Sequence, residues 1–570
     1  MKLRLRGMWR VLRVALRLWV ASLILSAIAL TISGLAAGQN MKAIATYLRS
    51  GDGGAPSTIP TKVVRPLWWI GANQPGVNLL RVVPGVDWLP ESLSAVSASW
   101  GSVTKLADEG LAIANAIDVG LFESDGFFNA KTVIEVAKRA SNLRKPIKEI
   151  DGLVRFFSVD RGPLWQMPER AELVQKTYEA YHAALGGIDS LELLDELLVG
   201  EKPRTIFLGI TNSAETRGVH GIIGQYAIVE VDRSGFNVRE LDSNLALKNP
   251  SKIPDGLSSG YIDFYGSNNP EWQNMTLSPF VDDAAEQIVN AWQESRRENL
   301  DAVVLLDTVA LGRFATIGEK KYMSAQGRLL ENAKALSDYL SNGIYLEFPI
   351  DNLERKVFQT ELGRLIVDEI LDQLGDARKF VPALTPTLRE GRIVFWAGES
   401  LVDDKAQKVR LGLQSENFAV DKAAIRLNNF SGNKMDFYLK PSLSVVMCED
   451  TTKLEIDLEN LAPPLEELPD YVLRRLDPIG GDSGSFVGLE LTVGSDWEIS
   501  QWSETTPSVE AQLIESSWGQ RLRVWLDVPI GQTRHVEVLF TRTTGVGALP
   551  IFDLAALSSD WALGFGACSD

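Results

Sequence analysis

The sequence is poor in cysteine and histidine, and it is short of positive charge. Its 570 residues include two cysteines, Cys448 and Cys568, and three histidines, His182, His220 and His535. Two thiols cannot build a zinc finger or an iron–sulfur cluster. The wide spacing of the histidines excludes HExxH zincins and most histidine-rich metal sites. With 57 Lys and Arg against 74 Asp and Glu the net charge is −17. A chain of that sign lacks the basic face that displaces counterions from phosphates, so nucleic acid is not an expected partner. The apolar fraction of 45% and charged fraction of 23% exclude wholesale disorder. At about 100–200 residues per domain the length predicts several domains.

The scarce positive charge is unevenly placed. Lys2, Arg4, Arg6, Arg10, Arg13 and Arg17 crowd a tip without acids, and residues 18–38 then run for 21 positions without a charge. At 1.5 Å per residue this run spans a bilayer core of about 30 Å. The basic flank predicts a cytoplasmic tip (1–17) and export of everything after Gly38. A cleaved signal peptide, with small residues at Gly34 and Ala36, is the competing reading; the apolar run is too long for it, which favours an uncleaved single-pass anchor. The expected localisation is thus the cell membrane, with the bulk extracytoplasmic. Setting the six cations aside leaves 51 bases against 74 acids, so the exported part lies near −23. Anionic headgroups would repel such a surface. Export also permits a disulfide between Cys448 and Cys568, the alternative being two unpaired thiols.

Along the exported chain, residues 39–97 read as a linker that contains the Gly/Pro/Ser-rich stretch 50–62. Apolar residues recur at three- and four-residue steps in three segments between 98 and 202, predicting a helical bundle or stalk, with a kink or break at Pro146. Over 203–380, short apolar runs such as Thr205–Ile210, Tyr226–Val231 and Ala302–Leu306 alternate with helical segments, including 324–341 and 351–374, which predicts an α/β layer domain. Asp307 and Thr308 read as a helix cap. Over 387–547, strict alternation at Lys453–Glu459, Arg521–Val528 and His535–Phe540 predicts a β-sandwich with one wet and one buried face, followed by a tail at 548–570. The fold class is therefore multidomain α+β.

The most unusual segment is Thr211–Tyr226, TNSAETRGVHGIIGQY, which joins two of the predicted strands. Gly218, Gly221 and Gly224 recur at steps of three beside Glu215, Arg217 and His220. Glycine admits close backbone approach, so its amides can cradle an anion. Arg217 can clamp a phosphate or carboxylate, and Glu215 can hold a divalent cation or take a proton. The bland alternative is a tight crossover in which Glu215 and Arg217 pair with each other. The spacing matches neither GxGxxG nor a P-loop. Gly481–Gly484 copies the GDSG core of chymotrypsin-like proteases, but the order of histidine and architecture differ, so a loop is expected there.

The segment resembles the QNNAELRPTGGFIGSY signature of bacterial proteins carrying domain of unknown function 4012. Asn212, Ala214, Glu215, Arg217, Gly221, Gly224 and Tyr226 fall on matching positions, while Thr211, Ser213 and His220 depart from it. The resemblance continues in Asn274–Phe280, Leu300–Phe314, Asn433–Leu439 and the stretch 460–472. The family's α/β unit looks like that of LytR–CpsA–Psr ligases, single-anchor enzymes that move glycopolymers from polyprenyl-pyrophosphate carriers onto peptidoglycan with arginines, aspartates and a divalent cation. The resemblance implies a cell-envelope protein acting on lipid-linked or wall glycopolymer by phosphotransfer to a sugar hydroxyl; it fixes no cofactor, and leaves magnesium open as one. The residues this sequence offers for such chemistry are Glu215, Arg217 and Asp242 as catalytic candidates and Asn212, His220, Gly221, Gly224 and Arg313 as binding candidates. The ligases' Arg-Ser-Asp-Thr run is missing here. A non-catalytic scaffold or wall-binding protein is the second expectation, and the convergence of Glu215, Arg217 and Asp242 beside an apolar groove decides between them.

Overall fold

The computed structural model describes residues 129–158 and, with short gaps, 203–567, together with isolated positions between 102 and 192. The tip, the 18–38 segment, most of 98–202, residues 478–483 of the Gly/Ser/Asp loop, and both cysteines lie outside the described residues. Among the described residues no helix is long and apolar enough to cross a membrane. The chain divides into two compact units, Met1–Ala116 with Lys138–Trp165 and Ile117–Ala137 with Gln166–Asp570. The second holds every element discussed below except most of α1.

Helix α1 (Ala130–Ser158) is capped by Asn129, whose Oδ1 accepts from Thr132 N at 3.2 Å, and it runs on through Pro146, the position expected to kink or break it. A mixed sheet then forms from β1 (Arg204–Thr216), β2 (Gly221–Asp232), β3 (Gly235–Ser243), β4 (Ala302–Asp307), β7 (Ile393–Ala397) and β8 (Arg410–Leu411), in the order β3-β2-β1-β4-β7-β8. The β1–β4 pair is parallel, so a crossover is required, and it contains α2 (Tyr261–Tyr265) and α3 (Val281–Arg296). Because side chains alternate along β1, Phe207 faces a core with Trp272, Ile288 and Trp292, whereas Ile206 and Ile210 face two others. On that second side lie α4 (Thr308–Ala315), β5 (Tyr322–Met323) with β6 (Leu329–Leu330), α5 (Ala333–Asp338), a π-helical turn (Tyr339–Gly343), α6 (Ile344–Glu347), α7 (Asn352–Gln373) and α8 (Ala377–Arg389). The helix expected over 324–341 therefore begins only at Ala333, because Ser324–Leu330 closes a small hairpin. Asp307 caps α4 as its Asp-Thr pair predicts, with Oδ1 accepting from Ala310 N at 2.7 Å.

The α/β layer runs past its expected limit at residue 380. Strand β7 covers the otherwise open edge of apolar β4, pairing Ala302 with Ala397 through Leu306 with Ile393. Beyond it stand two five-stranded sheets. They are built from β9 (Lys422–Asn429), β10 (Leu439–Met447), β11 (Thr451–Asn460), β12 (Ser485–Gly494), β13 (Trp497–Glu504), β14 (Ala511–Ser516), β15 (Gly519–Val528), β16 (Thr533–Arg542), β17 (Ile551–Leu554) and β18 (Ala562–Ala567). Their orders are β13-β16-β11-β10-β18 and β14-β15-β12-β9-β17. A short helix, α9 (Asp470–Leu473), follows β11. The residues expected as a tail supply β17 and β18, each added in parallel to a sheet edge.

One expected wet face is dry. Strand β11 alternates buried and half-buried positions as predicted, but on β15 the polar face is covered as well: Arg521 is 0% and Arg523 3% exposed. The α/β layer lies on it. Arg523 stacks on the Phe264 ring at 3.9 Å and donates to Phe264 O at 2.8 Å, while Glu490 of β12 takes its Nη2 at 2.7 Å. Tyr265 donates to Glu490 at 2.7 Å and accepts from Arg521 Nη2 at 2.6 Å. Buried arginines are tolerable when they are stacked, hydrogen-bonded and neutralised in this way. Helix α2 and strands β12 and β15 thus meet through a polar interface that β15's alternation alone does not reveal.

Candidate functional site

The segment expected as a connection between strands is itself strand. β1 continues to Thr216 and β2 begins at Gly221, with irregular register between Ile210 and Thr211 and between Asn212 and Thr216. Only Arg217–His220 remain as the turn, and this turn is pressed against β9 and the segment that follows it. The Gly218 amide donates to Asn428 Oδ1 at 3.0 Å, and Thr216 donates to Asp436 Oδ2 through N at 3.1 Å and Oγ1 at 2.6 Å. Asp436 also accepts from Ser485 Oγ. Burial raises its pKa, against the pull of these donors.

Arg217 is 7% exposed, and its guanidinium is spent on main-chain carbonyls: Nη1 on Asn429 O at 2.6 Å and Thr216 O at 3.0 Å, Nε on Gln273 O at 3.2 Å. Burial lowers its pKa, with Glu215, Asp436 and Glu490 opposing. Glu215 pairs with Lys434, in the connection between β9 and β10, rather than with Arg217. The pair is well shielded, and although burial alone would lower Lys434, Glu215 and the rings of Tyr345 and Tyr471 outweigh it and hold Lys434 above its ordinary value.

The glycines serve close backbone packing. A Cβ on Gly221 would lie 2.2 Å from Asn212 O, and one on Gly218 2.2 Å from Leu277 O, so neighbouring chain fills the space an anion cradle would need. Gly224 has no such constraint, its nearest atom being Ile210 O at 3.9 Å. His220 adopts φ +61° and is buried, with Nε2 2.6 Å from Gly391 O. Burial lowers its pKa, opposed by Asp307. Asn212 stays inside the fold, giving Nδ2 to Tyr345 OH at 3.1 Å and accepting from Ala214 N at 2.9 Å. Arg313 pairs with Glu390 at 2.7 Å. Asp242 is exposed at the end of β3 and accepts from its own neighbour, Ser243 N, at 2.6 Å.

A cation cluster adjoins Glu215. Tyr345 of α6 and Tyr471 of α9 stack with centroids 5.6 Å apart and planes at 9°. Arg355 lies 4.6 Å and 4.2 Å from their two centroids, and Lys434 4.8 Å and 5.6 Å. Arg355 is 1% exposed, donates Nη2 to Asn352 Oδ1, and has no partner at Nε. Lys356 donates to Asn244 Oδ1 at 3.1 Å. Burial, then Arg355 and Lys434, push it down to about 8, with Glu215 and Asp242 pulling the other way. Two of the three residues expected to be catalytic, Glu215 and Asp242, thus face a common lysine, whereas Arg217 bonds the carbonyls of Thr216, Gln273 and Asn429. Three cations around Glu215 disfavour a further cation there, and among the described residues no three His, Cys, Asp or Glu gather as a metal site. The residues present do not fit a magnesium ion.

A family model described as a protein of unknown function, DUF4012, matches residues 201–345. This region belongs to the DUF4012 family. No curated protein and no solved structure matches the chain. Strands β1–β4, the Arg217–His220 turn and Tyr345 fall within the DUF4012 region; Arg355, Lys356, Lys434, Asp436 and Tyr471 fall beyond it. The resemblance drawn over 433–439 and 460–472 likewise lies outside the matched residues. Sequence reasoning missed Lys356 and Arg355, which look like ordinary helix charges, and it gave Lys434 and Asp436 no role. The available signal was the compact run Asn433–Asp436, four residues of which three carry polar side chains that end up buried around the turn.

Proposed function

We propose that the protein is a membrane-anchored, extracytoplasmic envelope component that binds a polymer or lipid-linked partner without transforming it. One observation carries this reading: the motif's Arg217 and Glu215 are both consumed internally, Arg217 by three main-chain carbonyls and Glu215 by Lys434. Groups held this way serve as fasteners between layers, and neither is free to clamp a pyrophosphate or a metal. The anchor and its orientation rest on the 18–38 apolar run and the cations before it.

The competing reading is a phosphotransferase similar to the LytR–CpsA–Psr ligases. It draws on the shared reach of Glu215 and Asp242 toward Lys356. Incubating the full chain with a polyprenyl-pyrophosphate glycan, a wall acceptor and magnesium separates the two. The binding reading expects glycan retention with neither transfer nor hydrolysis, and retention that survives Glu215→Gln and Arg217→Lys. Magnesium-dependent transfer that Glu215→Gln abolishes would establish the ligase reading instead.

A further inference from the structure

We propose that β18 is a self-association edge, where two copies of this chain pair their β18 strands antiparallel about a two-fold axis at Gly564, whatever the protein binds elsewhere. A strand at the end of a sheet presents unpaired N–H and C=O groups, and charges, bulges or covering segments normally blunt it. The other ends of the three large sheets are blunted in these ways. Strand β3 has irregular register against β2 and carries Arg239 and Glu240, both ion-paired. Strand β8 is two residues long. Strand β13 has a register shift between Ile499 and Gln501 and carries Glu498 and Glu504. Strand β14 carries Glu515, and its Gln512 side chain donates to Asp263 O at 3.1 Å. The free side of β17 is taken by Gln175, which donates Nε2 to Phe552 O at 2.7 Å and accepts from Phe552 N at 3.1 Å. Strand β18, with the sequence ALGFGA, has no charge, no proline and no register shift, and among the described residues no side chain bonds its main chain.

Both faces of the strand suit a second copy. Register with β10 puts Leu563 and Phe565 on the face of the buried Leu443 and Val445, and Gly564 and Gly566 on the outer face with Ser444 and Val446. Leu563 is 42% exposed although it sits on the core side. An antiparallel copy with Gly564 opposite Gly564 sets Leu563 against Phe565 on each side of the axis, so two apolar pairs extend the core across both molecules. A Cβ on Gly564 would meet nothing within 4 Å, which leaves the outer face open at the axis. Charge permits the approach as well. The nearest acids of the outer face on β11, Glu455 and Asp457, pair with Ser444 and Ser442 of β10 and so stand two strands in from the edge. In the paired molecules these acidic rows would lie five strand spacings apart, roughly 24 Å, well beyond the Debye length of about 8 Å at physiological salt. The net charge of −17 therefore does not hold two copies apart along this edge. The same neutrality gives a foreign strand of either sign no electrostatic handle, which favours the copy.

The test is sedimentation equilibrium of the full chain in density-matched detergent, as wild type, Gly564→Lys and Gly564→Asp. Both new side chains enter open space, so each variant should unfold at a midpoint near that of the wild type. The wild type should show a reversible equilibrium between monomer and dimer, as befits a small interface. Each variant alone sets like charges opposite each other at the axis and should weaken association roughly tenfold or more. An equimolar mixture of the two variants should regain at least the wild-type affinity, because opposite charges then face each other. Hydrogen exchange at the β18 amides should slow as the wild-type concentration rises through the dimer range, and should not change in Gly564→Lys. A wild type that stays monomeric, or a dimer that neither variant weakens, would overturn the proposal. A mixture no tighter than the single variants would overturn it too, since position 564 would then not face its own copy.

Discussion

Replacing Arg217 by alanine removes the guanidinium that ties the turn to Thr216 and Gln273 and, through one bond, to Asn429 of β9 beyond the DUF4012 region. The guanidinium makes three hydrogen bonds to carbonyl oxygens, at 2.6, 3.0 and 3.2 Å. Bonds to a charged group contribute about 1.5–3 kcal/mol each, which gives a gross loss of roughly 6 kcal/mol. Against this, the variant no longer buries an unpaired positive charge, a relief on the order of half that sum. The net destabilisation expected is about 3 kcal/mol, enlarged if the Asn429 carbonyl is left dry. For a domain of several hundred residues this lowers the unfolding midpoint by about 3–6 °C. Scanning calorimetry of the full chain in detergent reads the shift, and hydrogen exchange at the Gly218 amide, which bonds Asn428, reads where it acts. Arg217→Lys keeps the charge but not the fork, and should recover only part of the loss. An alanine variant that unfolds within about 1 °C of wild type, with Gly218 equally protected, would refute the fastener role.

Three further outcomes follow from the same geometry. Gly221→Ala forces a Cβ to 2.2 Å from Asn212 O and should destabilise by roughly 2–4 kcal/mol, whereas Gly224→Ala, with nothing nearer than 3.9 Å, should stay within about 1 kcal/mol of wild type; denaturation of the two variants side by side checks this. Export permits Cys448 and Cys568, which lie outside the described residues, to pair, so non-reducing peptide mapping is expected to recover them linked, and two alkylatable thiols would contradict it. His220 is held below its ordinary pKa by burial, so its contribution to stability is full above about pH 6.5 and is lost as the pH falls through that value and the unfolded state takes up the proton. His220→Asn, suited to φ +61°, should flatten the decline of the unfolding midpoint between pH 7 and pH 5, and parallel profiles would disprove the assignment.

How far the sequence leads depends on the range of the interaction. Alternation on β11, the apolar run of β4 and the Asp307 cap are local patterns, and each is found where the residues predict it. The Arg521–Val528 alternation is equally clear, yet its polar face is buried, because the aromatic residues that cover it, Phe264 and Tyr265, lie about 260 positions away. The glycine, acid and arginine run was legible as unusual, but its meaning was not. Glu215 meets Lys434 across 219 residues and Thr216 meets Asp436 across 220, distances over which no spacing rule operates. Two strands running through the motif also replaced the expected connection, since Thr216 and Gly221 still pair. Chemistry-bearing residues at a turn suggest a ligand until the partner surface is known, and here that surface is another part of the same chain.

A double-mutant cycle on Glu215 and Lys434 tests that point most directly. Glu215→Gln, Lys434→Met and the double variant would be unfolded under identical conditions in the full chain. With the pair as shielded as it is here, a coupling free energy of about 1–3 kcal/mol is expected, each single variant costing more than its share of the double. Coupling indistinguishable from zero would mean that Glu215 is free of Lys434, and would return it to the pool of catalytic candidates.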